Sequence, residues 1–223
     1  MITTANADER QFWEDKWRRQ EIGFHQSEVH PGLEKFWPLL GFPGRVFVPL
    51  CGKSVDIDWL SKQGHEVLGV ELSTLAVEAF FCERGETIHP ESDGVFRRYR
   101  SGAVSLLQGD FFQLDPAQLA GTRSVYDRAA LIALPPDTQK RYVEHLIKLL
   151  PERPPILLVT LEYDERQMSG PPFSTAPTRV EELYGHAYGI TTLSREDILP
   201  ANPQFQERGL TELLEQIYWL SSA

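Results

Sequence analysis

The sequence predicts an α/β protein built on an open, mostly parallel, doubly wound sheet, and three observations carry that expectation. Short apolar runs alternate with helix-period segments from residue 45 onward. Several of those runs are near-continuous aliphatics, as strands covered on both faces require. Serines stand where helices begin and glycines where they stop. Alternation of this kind argues for parallel strands joined by helical crossovers.

Before the alternation begins, residues 8–20 read as a helix with Phe12, Trp13 and Trp17 toward one side. Trp13 and Trp17 are an i,i+4 pair and cover neighbouring patches of one surface. HPGLEKFWPLLGFPG follows as a short helix closed by Pro and Gly. RVFVPL (45–50) is the first strand, and Ser54 can cap the helix VDIDWLSKQ, which stops at Gly64. EVLGVEL (66–72) is the second strand, and Ser73 can cap TLAVEAFFCER, which Gly85 ends. Residues 86–103 have weak periodicity and read as a surface loop or a ragged hairpin. AVSLLQGD (103–110) is a third strand, and 124–134 contains a fourth. PDTQKRYVEHLIKLL is a helix with Pro136 in its first turn. Residues 154–163 form a fifth strand, 164–177 a loop, TRVEELYG a short capped helix, and LTELLEQIYWLSS the last strand or strands. No repeat, low-complexity tract or interdomain linker interrupts the pattern.

Composition narrows the function classes. The 223 residues are 41% hydrophobic and carry a formal net charge of −10. No Lys/Arg run exceeds two residues, which disfavours nucleic-acid and anionic-membrane partners. No apolar run reaches the ~18 residues that span a bilayer, and the first residues lack the basic and apolar regions of a signal peptide. Cys51 and Cys82 form no CxxC or Cys/His cluster, so no metal site is expected, and a reducing, cytoplasmic setting fits them. No exposed apolar stripe is evident, so a monomer is the expectation.

The stretch RVFVPLCGKSVD carries the first chemical question, because its Gly-Lys-Ser suggests a P-loop. Counting back from Gly52, the first P-loop glycine falls on Phe47, inside the strand, so the cradle fails. The dinucleotide fingerprint G-x-G-x-x-G fails too, since the turn has Gly52 alone. By itself the stretch is a plain turn with a solvated Lys53. Glu71 changes that weight. It ends the second strand about 20 residues after Gly52, where a doubly wound sheet turns an acidic side chain toward the ribose of a bound nucleotide. A surface glutamate favoured by the next helix's dipole is the alternative, but with PLCGKS upstream an adenosine cofactor is the better account. Asp110, beside Phe111 and Phe112, is either an adenine-edge contact or a turn aspartate before core aromatics. Arg128 ends the fourth strand, outside which ligands bind in open α/β sheets; an ion pair with Asp127 is its alternative. Cys51 has no partner histidine nearby and reads as a small buried residue.

In order along the chain, FWEDKWRRQEIGFHQ, FVPLCGKSVDIDWLSKQGHEVLGVELS, YDRAAL and SGPPFS resemble the thiopurine S-methyltransferases, over nearly the whole chain. The resemblance implies an S-adenosylmethionine-dependent methyltransferase fold. Its sheet has seven strands, the last antiparallel, with helices on both faces. A single domain over 1–223 is implied, with 1–43 as an N-terminal helical lid. The implied reaction moves the methyl group of S-adenosyl-L-methionine to aromatic or heterocyclic thiols, leaving S-adenosyl-L-homocysteine, with selenium and tellurium compounds as further acceptors. Carried over by position, Trp13, Leu50, Glu71 and Arg128 match cofactor-binding positions, and Phe24 borders both cofactor and substrate. Gly52 gives the turn its room, and Asp110 falls at an adenine-contacting position of variable type. Segments 86–103 and 190–212 are less alike, and Arg208 lies near the family's C-terminal arginine but out of register.

The residue types suit the chemistry. A sulfonium methyl is already activated, so an SN2 transfer chiefly needs in-line alignment with a soft nucleophile. A heteroaromatic thiol ionises near neutral pH, which accounts for the lack of an obvious catalytic dyad. Arg128 can favour the thiolate or orient it. On the substrate side stand Phe24, Phe173 as an apolar wall, Arg208, and His25, for which a backbone-satisfied structural role is the alternative. Trp13, Trp17 and Phe24 read as a water-excluding lid, with Trp17 more simply packed on the sheet. LPPD at 134–137 departs from the (Asn/Asp)-Pro-Pro-aromatic pattern of amino-group methyltransferases, so an amine acceptor is disfavoured. An NAD-dependent oxidoreductase would need the missing glycines. A cofactor-binding module without catalysis is the remaining alternative.

Overall fold

In the computed structural model the described residues are 7–222, without Phe24 and Pro43, with side chains described from Arg10 onward. The chain forms two compact units, one ending at Ser124 and one beginning at Val125.

The first unit contains helices α1 (Ala7–Arg18), α2 (Pro31–Leu40), α3 (Val55–Lys62) and α4 (Thr74–Glu83). Its strands are β1 (Arg45–Val48), β2 (Val67–Glu71), β3 (Glu91–Asp93), β4 (Phe96–Ser101) and β5 (Val104–Gln108), in the order β3-β4-β5-β2-β1. β1, β2 and β5 are parallel, with Val46 opposite Val67 and Val67 opposite Val104. All five residues of β2 are buried, so its unbroken apolar run reflects cover on both faces. Ser54 and Ser73 cap α3 and α4 as expected, their hydroxyls accepting from the N–H of Asp56 and of Ala76. α3 and α4 pack on β2 and β5, and α1 packs on α4. Ile57, Leu60, Val77, Phe81, Leu68 and Leu106 fill the core.

The second unit takes up β6 (Thr122–Arg128), which carries the chain out of the first, and continues with α5 (Pro136–Leu149) and β7 (Ile156–Glu162). α6 (Pro177–Tyr184), β8 (Tyr188–Asp197), α7 (Pro203–Glu207) and β9 (Leu214–Ser222) complete it. The strand order is β6-β7-β9-β8, β9 running antiparallel to both neighbours. β7 is buried for six of its seven residues, which explains its continuous aliphatics. α5 buries Tyr142, Val143, Leu146 and Ile147 along one face.

The α/β class, the parallel core and the antiparallel last strand agree with expectation. The strand count does not: nine strands lie among the described residues, where seven were expected. The extra pair is the β3–β4 hairpin, which turns at Gly94 (φ 61°) and joins β5 antiparallel through β4. It makes strands of the segment read as a loop or hairpin. β8 escaped the sequence reading because it is mostly solvent-facing and lacks a regular apolar alternation. The first strand is also shorter than read, ending at Val48 because Leu50 takes a left-handed φ of 44°. α6 starts on Pro177 with no side-chain cap, Pro at N1 replacing the expected capping group. No helix among the described residues is long and apolar enough to cross a membrane.

Candidate active site

In the first unit the carboxyl ends of β1, β2 and β5 gather the predicted cofactor residues. After β1 the chain turns through Leu50 and Gly52, both at positive φ (44° and 53°). The turn is pinned from both sides: the Cys51 N–H donates to Val70 O at 3.0 Å and the Ser54 N–H to Cys51 O at 3.2 Å. Gly52 is required twice over. A side chain at its φ is strained, and a Cβ there would lie 3.2 Å from the Trp17 ring. Trp17, buried to 5% exposure, therefore packs on the turn itself. Lys53 is not the solvated lysine expected; its ammonium pairs with Glu83 at the end of α4, and its side chain is 12% exposed. This agrees with the failure of the P-loop spacing.

Glu71 is buried at the end of β2, its Oε2 accepting from the Gly52 N–H (2.9 Å) and its Oε1 from the Ser73 N–H (2.7 Å). Burial raises its pKa, and the backbone donors at Ser73, Gly52 and Leu72 oppose that rise. An ionised carboxylate offers about four lone-pair sites, so the bonds from Gly52, Ser73 and Leu72 leave acceptor capacity for a further hydroxyl donor. Burial, and to a smaller extent the nearby Glu71 charge, pushes the Cys51 thiol well above its ordinary value. Cys51 is thus a protonated, buried thiol, in line with its non-nucleophilic reading. Asp110 is 3% exposed, accepts the Phe112 N–H at 2.9 Å and lies 3.9 Å from the Arg10 guanidinium of α1. The turn-aspartate reading holds, since Asp110 caps the turn before buried Phe111 and Phe112. Trp13 is half-buried, its ring edge-on to Phe12 at 5.2 Å. His25 is half-buried, with its N–H on Ile22 O. Phe24 lies outside the described residues. One buried group went unread: Asp56, fully buried on α3, accepts the N–H of buried His30 at 2.9 Å and so fixes the start of α2.

In the second unit, Arg128 is the last residue of β6, half-buried and in register with Val159 of β7. The next residue, Ala129, takes a left-handed φ of 64°. Asp127, named only as a possible partner of Arg128, is fully buried and engaged elsewhere. It accepts the Leu131 N–H (3.2 Å) and the Tyr142 hydroxyl (2.7 Å), and burial raises its pKa to about 6. The loop 164–177 is held as a rim. Phe173 donates its N–H to Ile132 O (2.7 Å), the Tyr163 hydroxyl donates to Pro172 O, and both Arg208 guanidinium nitrogens approach Pro171 O at 3.4 Å. Arg208 also lies 5.7 Å over the Phe205 ring. The exposed Arg208 is thus engaged with the loop that carries Phe173. No cluster of three or more His, Cys, Asp or Glu suited to a metal lies among the described residues.

A buried acid after a Gly turn, on parallel strands closed by an antiparallel last strand, defines the class. The fold is that of the S-adenosylmethionine-dependent methyltransferases. It is shared with the 1,6-didemethyltoxoflavin-N1-methyltransferase of Burkholderia thailandensis (TM-score 0.62, 17% identity, 99% of this chain and 92% of that one). It is also shared with a methyltransferase of Anabaena variabilis (TM-score 0.59, 15% identity, 100% and 98%). The family model of thiopurine S-methyltransferase matches residues 8–223. A thiopurine S-methyltransferase of Methylococcus capsulatus is 51% identical over 94% of this chain and 96% of its own length, and one of Nitrosospira multiformis is 48% identical over 95% and 97%. The chain belongs to the thiopurine S-methyltransferase family, and it is an S-adenosylmethionine-dependent methyltransferase.

Proposed function

We propose that this protein methylates the sulfur of aromatic and heterocyclic thiols of the thiopurine type, as a cytoplasmic, monomeric, single-domain enzyme whose residues 1–43 form the lid. The observation that carries the proposal is the Glu71 carboxylate, buried at a strand end with acceptor capacity to spare beside a left-handed glycine turn close-packed by Trp17. Those features suit an adenosyl group: a carboxylate for ribose hydroxyls, backbone room at Gly52, and apolar Leu50 with Trp13 against the remainder. Asp110 serves the adenine edge, and Arg128 completes the cofactor-binding set. When bound, S-adenosylmethionine supplies a methyl group already activated by its sulfonium.

The chain's own share is then alignment and the exclusion of water. Arg128 holds the acceptor as its thiolate, because a cation beside a thiol stabilises the charged form. Phe173 gives the flat acceptor an apolar wall, Phe24 and His25 are further substrate-side residues, and Arg208 supports the loop that carries Phe173. No general base is required, since the acceptor ionises near neutral pH. Selenium and tellurium acceptors follow the same soft-nucleophile logic.

A methyl-donor assay with 6-mercaptopurine, selenite and tellurite, read by mass spectrometry, tests the proposal. An S-methylated thiopurine is expected. Cofactor binding by calorimetry without any methylated product would favour a binding module, and a sulfur-only result would remove the metalloid acceptors.

A further inference from the structure

The second unit contains a buried acid that the proposed chemistry does not use. Asp127 reaches two elements from the end of β6, the turn after the strand through the Leu131 N–H and α5 through the Tyr142 hydroxyl. The bond to Leu131 closes a loop over Arg128, Ala129 and Ala130. Within that loop Ala129 is left-handed, a conformation that a residue with a Cβ keeps only where its surroundings hold it. The turn continues into a short 3₁₀ segment, Leu131–Ala133, whose Ile132 carbonyl accepts the Phe173 N–H at 2.7 Å. One carboxylate thus stands behind both the residue expected to orient the acceptor and the residue expected to wall it.

We propose that Asp127 is a positioning residue: with Tyr142 as its anchor on α5, it sets the turn that presents Arg128 and seats the Phe173 rim. The inference rests on the assignment of Arg128 to the site. Burial of the carboxylate supports it, because a fully buried acid costs folding free energy unless its bonds do something for the fold or the site. The Tyr142 hydroxyl, itself fully buried, has its donor committed to Asp127.

The test uses the full chain with 6-mercaptopurine and S-adenosylmethionine, after circular dichroism has shown each variant folded. Asp127→Ala is expected to lower kcat/KM for the thiol about tenfold to a hundredfold, the scale of a misplaced catalytic group. Tyr142→Phe, which keeps the core shape, is expected to act in the same direction by a smaller factor. Asp127→Asn should recover most of the loss, because its carbonyl can accept from Leu131 while its amide donates to the tyrosine oxygen. In a double-mutant cycle, Asp127→Ala should add little to Arg128→Ala, since the two act as one unit. Fully multiplicative losses would overturn the positioning role while leaving Arg128 in the site, and so would unchanged kinetics in folded Asp127→Ala or Tyr142→Phe. An Arg128→Ala variant with wild-type cofactor affinity and turnover would instead overturn the site assignment itself, and this inference with it.

Discussion

Glu71 and Asp127 occupy the same kind of position, a buried carboxylate at the carboxyl end of a parallel strand, yet their surroundings differ. Glu71 is held by backbone donors from two flanking turns, Gly52 and Ser73. Asp127 is held by backbone donors of the turn just after its own strand, Ala130 and Leu131, and by a tyrosine hydroxyl from α5. Burial raises both acids. The first carboxylate lies between the turns at Gly52 and Ser73; the second is taken up by the turn after its own strand and by α5. The same position at two strand ends thus gives two different hydrogen-bond environments.

The sharpest way to break this comparison is Glu71→Ala. Micromolar-range binding of S-adenosylmethionine should be lost in calorimetry. The orphaned Gly52 and Ser73 N–H groups should also destabilise the fold, each unsatisfied donor costing ~1–3 kcal/mol. Retained affinity in the folded variant would remove Glu71 from the cofactor site.

Next in size is the pH dependence of Asp127. Its folded pKa of about 6 lies above the ordinary aspartate value of 3.8, so the folded state binds the proton more tightly than the unfolded chain. The stability from that proton is complete below about pH 4 and is lost as pH rises through about 6. At ~1.4 kcal/mol per pKa unit the upper bound is ~3 kcal/mol. The titratable groups facing it, Tyr142 on α5 and Tyr184 on α6, both have pKa values raised well above 10.0 by burial and stay neutral in this window. Asp127→Asn should therefore flatten the decline of chemical-denaturation stability between pH 4 and 6. Identical slopes in the two proteins would refute the perturbed titration.

A smaller contrast compares the two left-handed turns. Gly52→Ala should cost ~1–3 kcal/mol from strain at a φ of 53° and from the Trp17 ring 3.2 Å away. Ala129→Gly relieves comparable strain but loosens the unfolded chain, so its net change should fall within ~1 kcal/mol of zero. Thermal melts of the two variants would separate them. The least effect is expected from alkylation of the native protein: iodoacetamide should label exposed Cys82 and spare Cys51, which is buried with its thiol pushed well above 9.0. Labelling of both cysteines would mean that the Gly52 turn opens readily.

Much of the fold was legible because its signals are local. Serine caps, the mostly apolar β2 and β7, and the glycine stops each depend on residues within a few positions. Glu71 was legible for a related reason, since a strand–turn–helix unit fixes the distance between a glycine turn and the next strand end. β8 was not legible, because an edge strand with its side chains in water needs no apolar period. Lys53 was misread because its partner Glu83 lies at the end of α4, two helices on and 30 residues away.

By itself, then, the sequence determined the alternation of strands and helices, the glycine turn and the acid that faces it, all written in short-range periodicity and spacing. Tertiary structure alone decided which ring presses on Gly52, that Arg10 reaches Asp110, and that Asp127 is answered by Tyr142 of α5. The physical reason is that a buried polar group must find a partner wherever packing brings one. Which partner that is depends on elements far apart along the chain.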